Sequence, residues 1–182
     1  MQPRHTVFIA RSLDGYIAGK NGELDWLEMV PNPDGDDMGY GALIERIDAI
    51  VMGRTTYETV LGFGGEWPYP KPVFVLSRSL QSIPEQLEGK VQLLAGSPTE
   101  LIATLHACGH YRLYIDGGTT IQQFLAADLI DELIVTTLPI LLGGGFLLFS
   151  KLEKPLAWEH VGTEVFLGQL VQSHYRRKHD SK

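Results

Sequence analysis

Apolar residues in this chain come in short runs separated by polar and turn-forming segments. Thr6-Val7-Phe8-Ile9-Ala10, Ala49-Ile50-Val51-Met52, Pro72-Val73-Phe74-Val75-Leu76, Val91 to Leu94, Arg112-Leu113-Tyr114-Ile115 and Leu133 to Leu138 are rich in apolar, often β-branched or aromatic residues, and most end at Gly, Ser, Asp or Pro. Such runs predict buried strands. Between them, Leu43, Ile44 and Ile47 place a short helix over Tyr40 to Ile47, and a second helix runs from Thr56 to about Leu61. Ser97-Pro98-Thr99-Glu100 carries a cap, a first-position proline and a capping-box acid, so a third helix starts there and ends at Gly109. A fourth, capped by Thr119 or Thr120, carries Phe124 and Leu125. Ala157 to Phe166 and Gln169 to Arg176 alternate as an antiparallel hairpin turning at Gly168. Strands alternating with helices predict an α/β fold with a mixed, mainly parallel sheet, right-handed crossovers and flanking helices. One domain is expected over residues 1–177, with a frayed tail at 178–182. Gly19 to Asp37 and Gly62 to Pro70 read as long irregular loops.

Composition narrows the partners. With 182 residues, 44% hydrophobic and 20% charged, the chain can bury one substantial core. Its formal net charge of −7 opposes long-range attraction to nucleic acid or an anionic membrane surface. Cys108 is the only cysteine, so no intrachain disulfide can form; it is expected to be buried beside a helix end rather than reactive. No apolar run approaches the roughly 20 residues that span a bilayer, and the N-terminus has no signal-peptide pattern, which makes a cytoplasmic protein the expectation. The six histidines lack ligand spacing, and Met38 interrupts the calcium-loop pattern of Asp34, Asp36, Gly39 and Glu45, so no metal is expected.

The candidate chemistry lies in three turns. In Ala49-Ile50-Val51-Met52-Gly53-Arg54-Thr55-Thr56-Tyr57-Glu58 a strand breaks at Gly53, and Thr55-x-x-Glu58 reads as a capping box opening a helix. A helix N-terminus offers unpaired N–H groups and a positive dipole end, so this turn can hold a phosphate beside Arg54; the alternative is an ordinary capped turn with a surface arginine. If strands ending at Met52, Leu76 and Ile115 are parallel neighbours, then Gly53-Arg54-Thr55, Ser77-Arg78 and Asp116-Gly117-Gly118-Thr119 all project from one carboxyl edge, where open α/β sheets bind ligands. The set suits a dinucleotide with an extra phosphate: helix mouths for the pyrophosphate, arginines for a ribose 2′-phosphate. Ala10-Arg11-Ser12-Leu13-Asp14-Gly15 follows the first strand in place of G-x-G-x-x-G, which disfavours a Rossmann site.

Ser12-Leu13-Asp14-Gly15-Tyr16-Ile17-Ala18, Val51-Met52-Gly53-Arg54-Thr55-Thr56-Tyr57-Glu58, Tyr114-Ile115-Asp116-Gly117-Gly118, Asp131-Glu132-Leu133 and Pro139-Ile140-Leu141-Leu142-Gly143-Gly144-Gly145 resemble, in order, the dihydrofolate-reductase-like group that includes the riboflavin-biosynthesis reductase domain. The resemblance implies a mixed, mainly parallel eight-stranded sheet, NADPH as hydride donor, a small-molecule substrate and a homodimer. By position it implies that Gly53, Arg54, Thr55 and Thr56 bind phosphates, Ser77 and Arg78 the 2′-phosphate, and Gly117, Gly118, Thr119 and Thr120 the pyrophosphate. Ala10 would pack near the nicotinamide. Several positions depart from the folate enzymes: Lys71 stands where their tail-binding arginine falls, Ile121 replaces a tyrosine, and Gly41 replaces an aromatic residue. Folate reduction is therefore not the expected main activity, and one cysteine cannot build the zinc site of the riboflavin deaminase partner.

Reduction of C=N or C=O also needs a proton source. Asp37, expected to be half-buried by Trp26 and Tyr40 with a raised pKa, is the first candidate, its alternative role being a helix N-cap. Asp14 is the second, its alternative being a plain turn residue. Trp26, Tyr40 and Thr136 are the expected substrate contacts.

Overall fold

Consecutive residues are buried or half-buried along most of β1 (Arg4–Ser12), β3 (Ala49–Gly53), β4 (Val73–Leu76), β5 (Val91–Leu94), β6 (Arg112–Asp116) and β7 (Glu132–Leu138), so the strands contribute side chains to two opposite covered layers. The computed structural model describes residues 4–178. Residues 179–182, most of the expected tail, lie outside the described residues, while the Lys178 N–H donates to the Ala157 carbonyl at 3.0 Å. The remaining elements are β2 (Tyr16–Ala18), α1 (Tyr40–Arg46), α2 (Arg54–Gly62), α3 (Pro98–Ala107), α4 (Gly118–Ala126), β8 (Phe146–Leu147), β9 (Trp158–Phe166) and β10 (Leu170–Arg177). Eight strands form one sheet in the order β5-β4-β3-β6-β1-β7-β10-β9. All neighbours are parallel up to β7, and β10 runs antiparallel to both β7 and β9. This is the mixed, mainly parallel sheet with a closing hairpin that the sequence predicts.

One face carries Val7, Val51, Ile115 and Val135 and is covered by Ile102 and Leu105 of α3 and Ile121 and Phe124 of α4. The other carries Ile50, Met52, Val75 and Tyr114 and meets Leu43 of α1, Ile47 just after it and Tyr57 of α2. Burial of each such aliphatic side chain contributes roughly 2 kcal/mol. A smaller cluster around Trp26, Val30, Leu138 and Leu170 closes the end of the sheet beside Ala10.

Two short strands were not predicted. β2 and β8 pair into a separate two-stranded ribbon, too short to show any periodicity in sequence. The capping box of α3 is present as read, with Ser97 accepting from the Glu100 N–H and Glu100 accepting from the Ser97 N–H at 2.8 Å. Cys108, expected to be buried, is exposed: it is the C-cap residue of α3, just past the stripe that faces the sheet.

At the opposite edge from the three turns, Glu132 is buried at 1% exposure and gathers Arg46 at 2.6 Å, Arg4 at 3.5 Å and the Thr6 hydroxyl at 3.2 Å. Desolvation pushes its pKa up, but the hydrogen bond and charge of Arg46, with Arg4, outweigh that and hold the carboxyl below its ordinary range. A carboxylate with a depressed folded-state pKa contributes stability above its unfolded pKa and loses it as pH falls. Glu132→Gln should therefore cost about 3 kcal/mol in urea unfolding at neutral pH, because Arg46 loses its buried partner. The penalty should shrink on acidification below about pH 4.

Candidate functional site

β3 lies between β4 and β6 in parallel register, Gly53 opposite Leu76 and Met52 opposite both Val75 and Asp116. The turns that follow these strands therefore leave the sheet at one edge, as the sequence argument requires. α2 begins at Arg54 immediately after Gly53, and α4 at Gly118 immediately after Gly117. Neither helix has a side-chain cap. Here the structure corrects two expectations. Thr55 lies inside the first turn of α2 rather than before it, so Thr55-x-x-Glu58 is not a capping box. Thr119 and Thr120 likewise lie inside α4, and the Thr120 hydroxyl-bearing side chain is buried instead of capping. The first N–H groups of both helices are thus left without side-chain acceptors, the arrangement that favours an anion.

The two helix mouths are locked together across the chain. A Cβ on Gly53 would lie 2.8 Å from Thr120 Oγ1, and a Cβ on Gly117 would collide with Thr56 Oγ1. Gly117 also has φ +88°, a backbone conformation that L side chains disfavour. Each glycine thus makes room for a threonine of the other turn, which brings Gly53, Thr56, Gly117 and Thr120 into one cradle. Gly118 sits beneath the ribbon, where Ile17 Cδ1 would lie 2.7 Å from an added Cβ. Gln122 fastens the ribbon by donating to the Leu147 carbonyl at 2.7 Å.

The third turn joins through side chains. Ser77 Oγ accepts from the Leu80 N–H at 3.0 Å and the Ser79 N–H at 3.2 Å, and Arg54 Nη1 donates to Ser79 Oγ at 3.1 Å. Arg54 also stands 3.8 Å from Glu58. Arg78 is exposed, with neither hydrogen bond nor ion pair among the described residues. Thr55 and Thr119 are exposed at the rim.

On the α1 side of the same edge lie Ala10 and Thr136, paired in register across β1 and β7. Thr136 is buried, and Gln172, which sequence reasoning missed, donates to its hydroxyl at 3.1 Å and to the Met38 carbonyl at 3.0 Å. Trp26 is buried with its indole N–H on the Glu23 carbonyl at 3.1 Å, packed in the cluster that includes Ala10. Tyr40 packs edge-on against Phe8 and Tyr114, with ring centroids 5.9 and 6.3 Å apart.

The acids are distributed differently from the expectation. Asp37 is exposed, not half-buried; its oxygens accept the Gly41 N–H at 2.8 Å and the Gly39 N–H at 2.9 Å, and these bonds lower its pKa. It organises the start of α1, although the N-cap position itself is Gly39. Asp14 accepts the Ser12 hydroxyl at 2.6 Å, then the Gly143 and Leu142 N–H groups at 2.7 and 3.1 Å, and its pKa is lowered too. It ties the turn after β1 to the glycine-rich loop.

The acid with a raised pKa is Asp116, which the sequence reading used only as a turn marker. Desolvation pushes it up to about 6, against the Gly117 N–H at 2.8 Å and the Tyr114 hydroxyl. No lysine, arginine or histidine pairs with it among the described residues. Tyr40 feels burial first and then the Asp116 charge, reaching about 12; Tyr69 and Tyr114 are raised by the same two causes. The available signal was strand parity, which puts Tyr114 and Asp116 on one face of β6. A carboxyl whose folded pKa lies above its unfolded value weakens the fold as pH rises between the two, here from about 4 to about 6. Asp116→Asn should therefore stabilise the protein by about 1–3 kcal/mol at pH 8 and have little effect below pH 4, as read by urea unfolding at both pH values.

These features agree with what the chain resembles among known proteins. The RibD C-terminal domain family matches residues 3–171. The uncharacterized protein YwjB of Bacillus subtilis (strain 168) is 34% identical over 179 residues, covering 97% of this chain and 99% of that protein. A crystal structure of a putative riboflavin biosynthesis protein from Shewanella sp. PV-4 superposes with a TM-score of 0.94 at 53% identity, covering 97% of this chain and 99% of that one. Dihydrofolate reductase from Enterococcus faecalis, complexed with NADP(H), superposes with a TM-score of 0.66 at 21% identity over 98% of this chain and 99% of its own, which is a likeness of fold. A dihydrofolate-reductase-like sheet, two interlocked helix mouths at its carboxyl edge and a family match across nearly the whole length make this chain a member of the RibD C-terminal domain family.

Proposed function

We propose that residues 4–178 form one reductase domain that uses NADPH to reduce a C=N or C=O bond of a small heterocyclic or ribosyl-amine-type substrate. The observation that carries this reading is the cradle in which Gly53 receives Thr120 and Gly117 receives Thr56, setting two uncapped helix N-termini side by side. Their N–H groups suit a pyrophosphate, since they bring no countercharge to be displaced. The cradle and the nearby arginines fit the adenine-dinucleotide part of the cofactor: Gly53, Arg54, Thr55 and Thr56 on one side, Gly117, Gly118, Thr119 and Thr120 on the other. Ser77 and Arg78 would take the 2′-phosphate, where a forked, unpaired guanidinium is well suited to a dianion. Ala10 has no side chain beyond Cβ and would leave room for a flat ring. NADPH, when bound, supplies the hydride.

In this proposal Tyr40, Thr136 and Trp26 shape the substrate side, and Gln172 fixes the Thr136 hydroxyl. Asp116 manages the proton, since a carboxyl with a pKa near 6 can exchange one at working pH. Asp37 and Asp14, candidates on sequence grounds, use their oxygens to hold main-chain N–H groups and act as positioning residues. The description of one similar protein, a putative riboflavin biosynthesis protein, leans the same way.

A homodimer belongs to the same proposal. The β10-β9 end of the sheet exposes Val165 and Val171, and beside it lies an apolar cavity of about 350 Å³ bounded by Phe149, Leu152, Leu156 and Trp158. That surface suits a second copy better than water. Val171→Glu should convert the dimer to monomer in sedimentation, and an unchanged sedimentation coefficient would remove this face from the interface.

Titration followed by nicotinamide fluorescence should show saturable NADPH binding with NADH much weaker. Arg78→Ala should weaken NADPH about tenfold or more and leave NADH nearly unchanged. Absence of saturable binding of both cofactors would sink the reductase reading. Equal losses for both would make Arg78 structural.

A further inference from the structure

Around Asp116 the chain builds a box whose chemistry selects a charge. Tyr114 and Tyr40 stand edge to face at 6.3 Å between ring centroids, and Trp67 meets Tyr69 at 5.2 Å and Tyr57 at 6.0 Å. Tyr40, Tyr69 and Tyr114 all lie within the field of the Asp116 carboxyl. The Gly117 N–H donates to that carboxyl at 2.8 Å, the Tyr114 hydroxyl donates to the Phe8 carbonyl at 3.0 Å, and no basic side chain pairs with the acid among the described residues. Aromatic faces and an unpaired carboxylate both attract positive charge and repel negative charge.

Two further groups ask for a ligand. The Tyr57 hydroxyl is buried, with the residue 2% exposed, and the Trp67 indole N–H is buried beside it. Neither has a hydrogen-bond partner among the described residues. Buried polar atoms left unpartnered are rare, and each costs about 1–3 kcal/mol until an acceptor arrives.

Resting on the reductase reading above, we propose that the substrate is bound as a planar cation, a protonated imine or aromatic iminium, with its nitrogen against Asp116 and its rings among Tyr40, Tyr69 and Tyr114. An acceptor atom at the far end of the same molecule meets Tyr57 and Trp67. Reduction then moves a hydride from the reduced nicotinamide to the iminium carbon, while the C=N π pair becomes the lone pair on nitrogen. The product is a neutral amine and oxidised nicotinamide. No separate acid is needed, because the proton is already on the nitrogen or passes to it from Asp116. Loss of the positive charge also releases the product, since a neutral amine no longer pairs with the carboxylate. An anionic substrate group at this end of the site would meet only an acid and ring faces.

The test compares three flat bicyclic probes of similar size by isothermal titration at pH 8: N-methylquinolinium, neutral 2-methylquinoline and anionic 2-naphthoate. The permanent cation should bind at least about tenfold more tightly than either of the others. Its affinity should fall as pH drops through about 6, where Asp116 takes up a proton. Asp116→Asn should abolish the preference for the cation, and Tyr40→Leu should reduce it, while NADPH titration on the same samples reports that the cofactor edge is intact. Equal or tighter binding of naphthoate overturns the proposal, as does absence of cation binding in protein that binds NADPH, or a preference that survives Asp116→Asn. Failure of NADPH to bind is a different result, which removes the reductase reading on which this one rests.

Discussion

The parallel hydrogen bonding of β3 to β4 on one side and β6 on the other is the constraint from which the site follows. Parallel strands must be joined by crossovers, so the chain cannot turn back at their carboxyl ends and instead opens a new element there. Placing these strands next to one another therefore collects three strand-to-helix or strand-to-loop turns within one short edge. The helices add a common electrostatic direction, with the N-termini of α2 and α4 both facing that edge. Close packing of these two turns then depends on glycine at 53 and 117, because any Cβ would displace a threonine of the opposite turn. A buried network of main-chain pairing thus determines where polar groups meet on the surface.

The same edge is divided by charge. Arg54 and Arg78 border the helix mouths, whereas Asp116 lies at the end of β6 with tyrosines around it and no basic partner. An acid kept unpaired in poor solvent weakens the fold, and the molecule tolerates that cost where chemistry is proposed. The opposite edge shows the contrast. There Glu132 is buried, but Arg46, Arg4 and Thr6 surround it, and its pKa moves down instead of up. Two acids at opposite edges of one sheet are thereby shifted in opposite directions by the groups around them.

What could be read from sequence was what is local. The strands announced themselves through β-branched runs, and Ser97-Pro98-Thr99-Glu100 capped α3 as read because all of its bonds close within one turn. The convergence of three turns was also legible, since βα units constrain their own geometry. The capping roles read for Thr55 and for Thr119 or Thr120 failed because the helices begin earlier, at Arg54 and Gly118, and the Thr120 side chain packs at Gly53, more than sixty residues away along the chain. Asp37 and Asp14 attracted attention by their loop neighbours, yet main-chain N–H groups occupy their oxygens. Asp116 was hidden because its significance lies in tyrosines from α1, from the loop after α2 and from its own strand, which only the fold brings together.

The most direct test of the account is a crystal structure of the NADPH complex. The account predicts the pyrophosphate on the first N–H groups of α2 and α4, the 2′-phosphate at Arg54, Ser77 and Arg78, and the nicotinamide beside Ala10 with C4 open toward Asp116. A cofactor seated elsewhere on the molecule, or one whose nicotinamide C4 faces away from the Asp116 box, would contradict it.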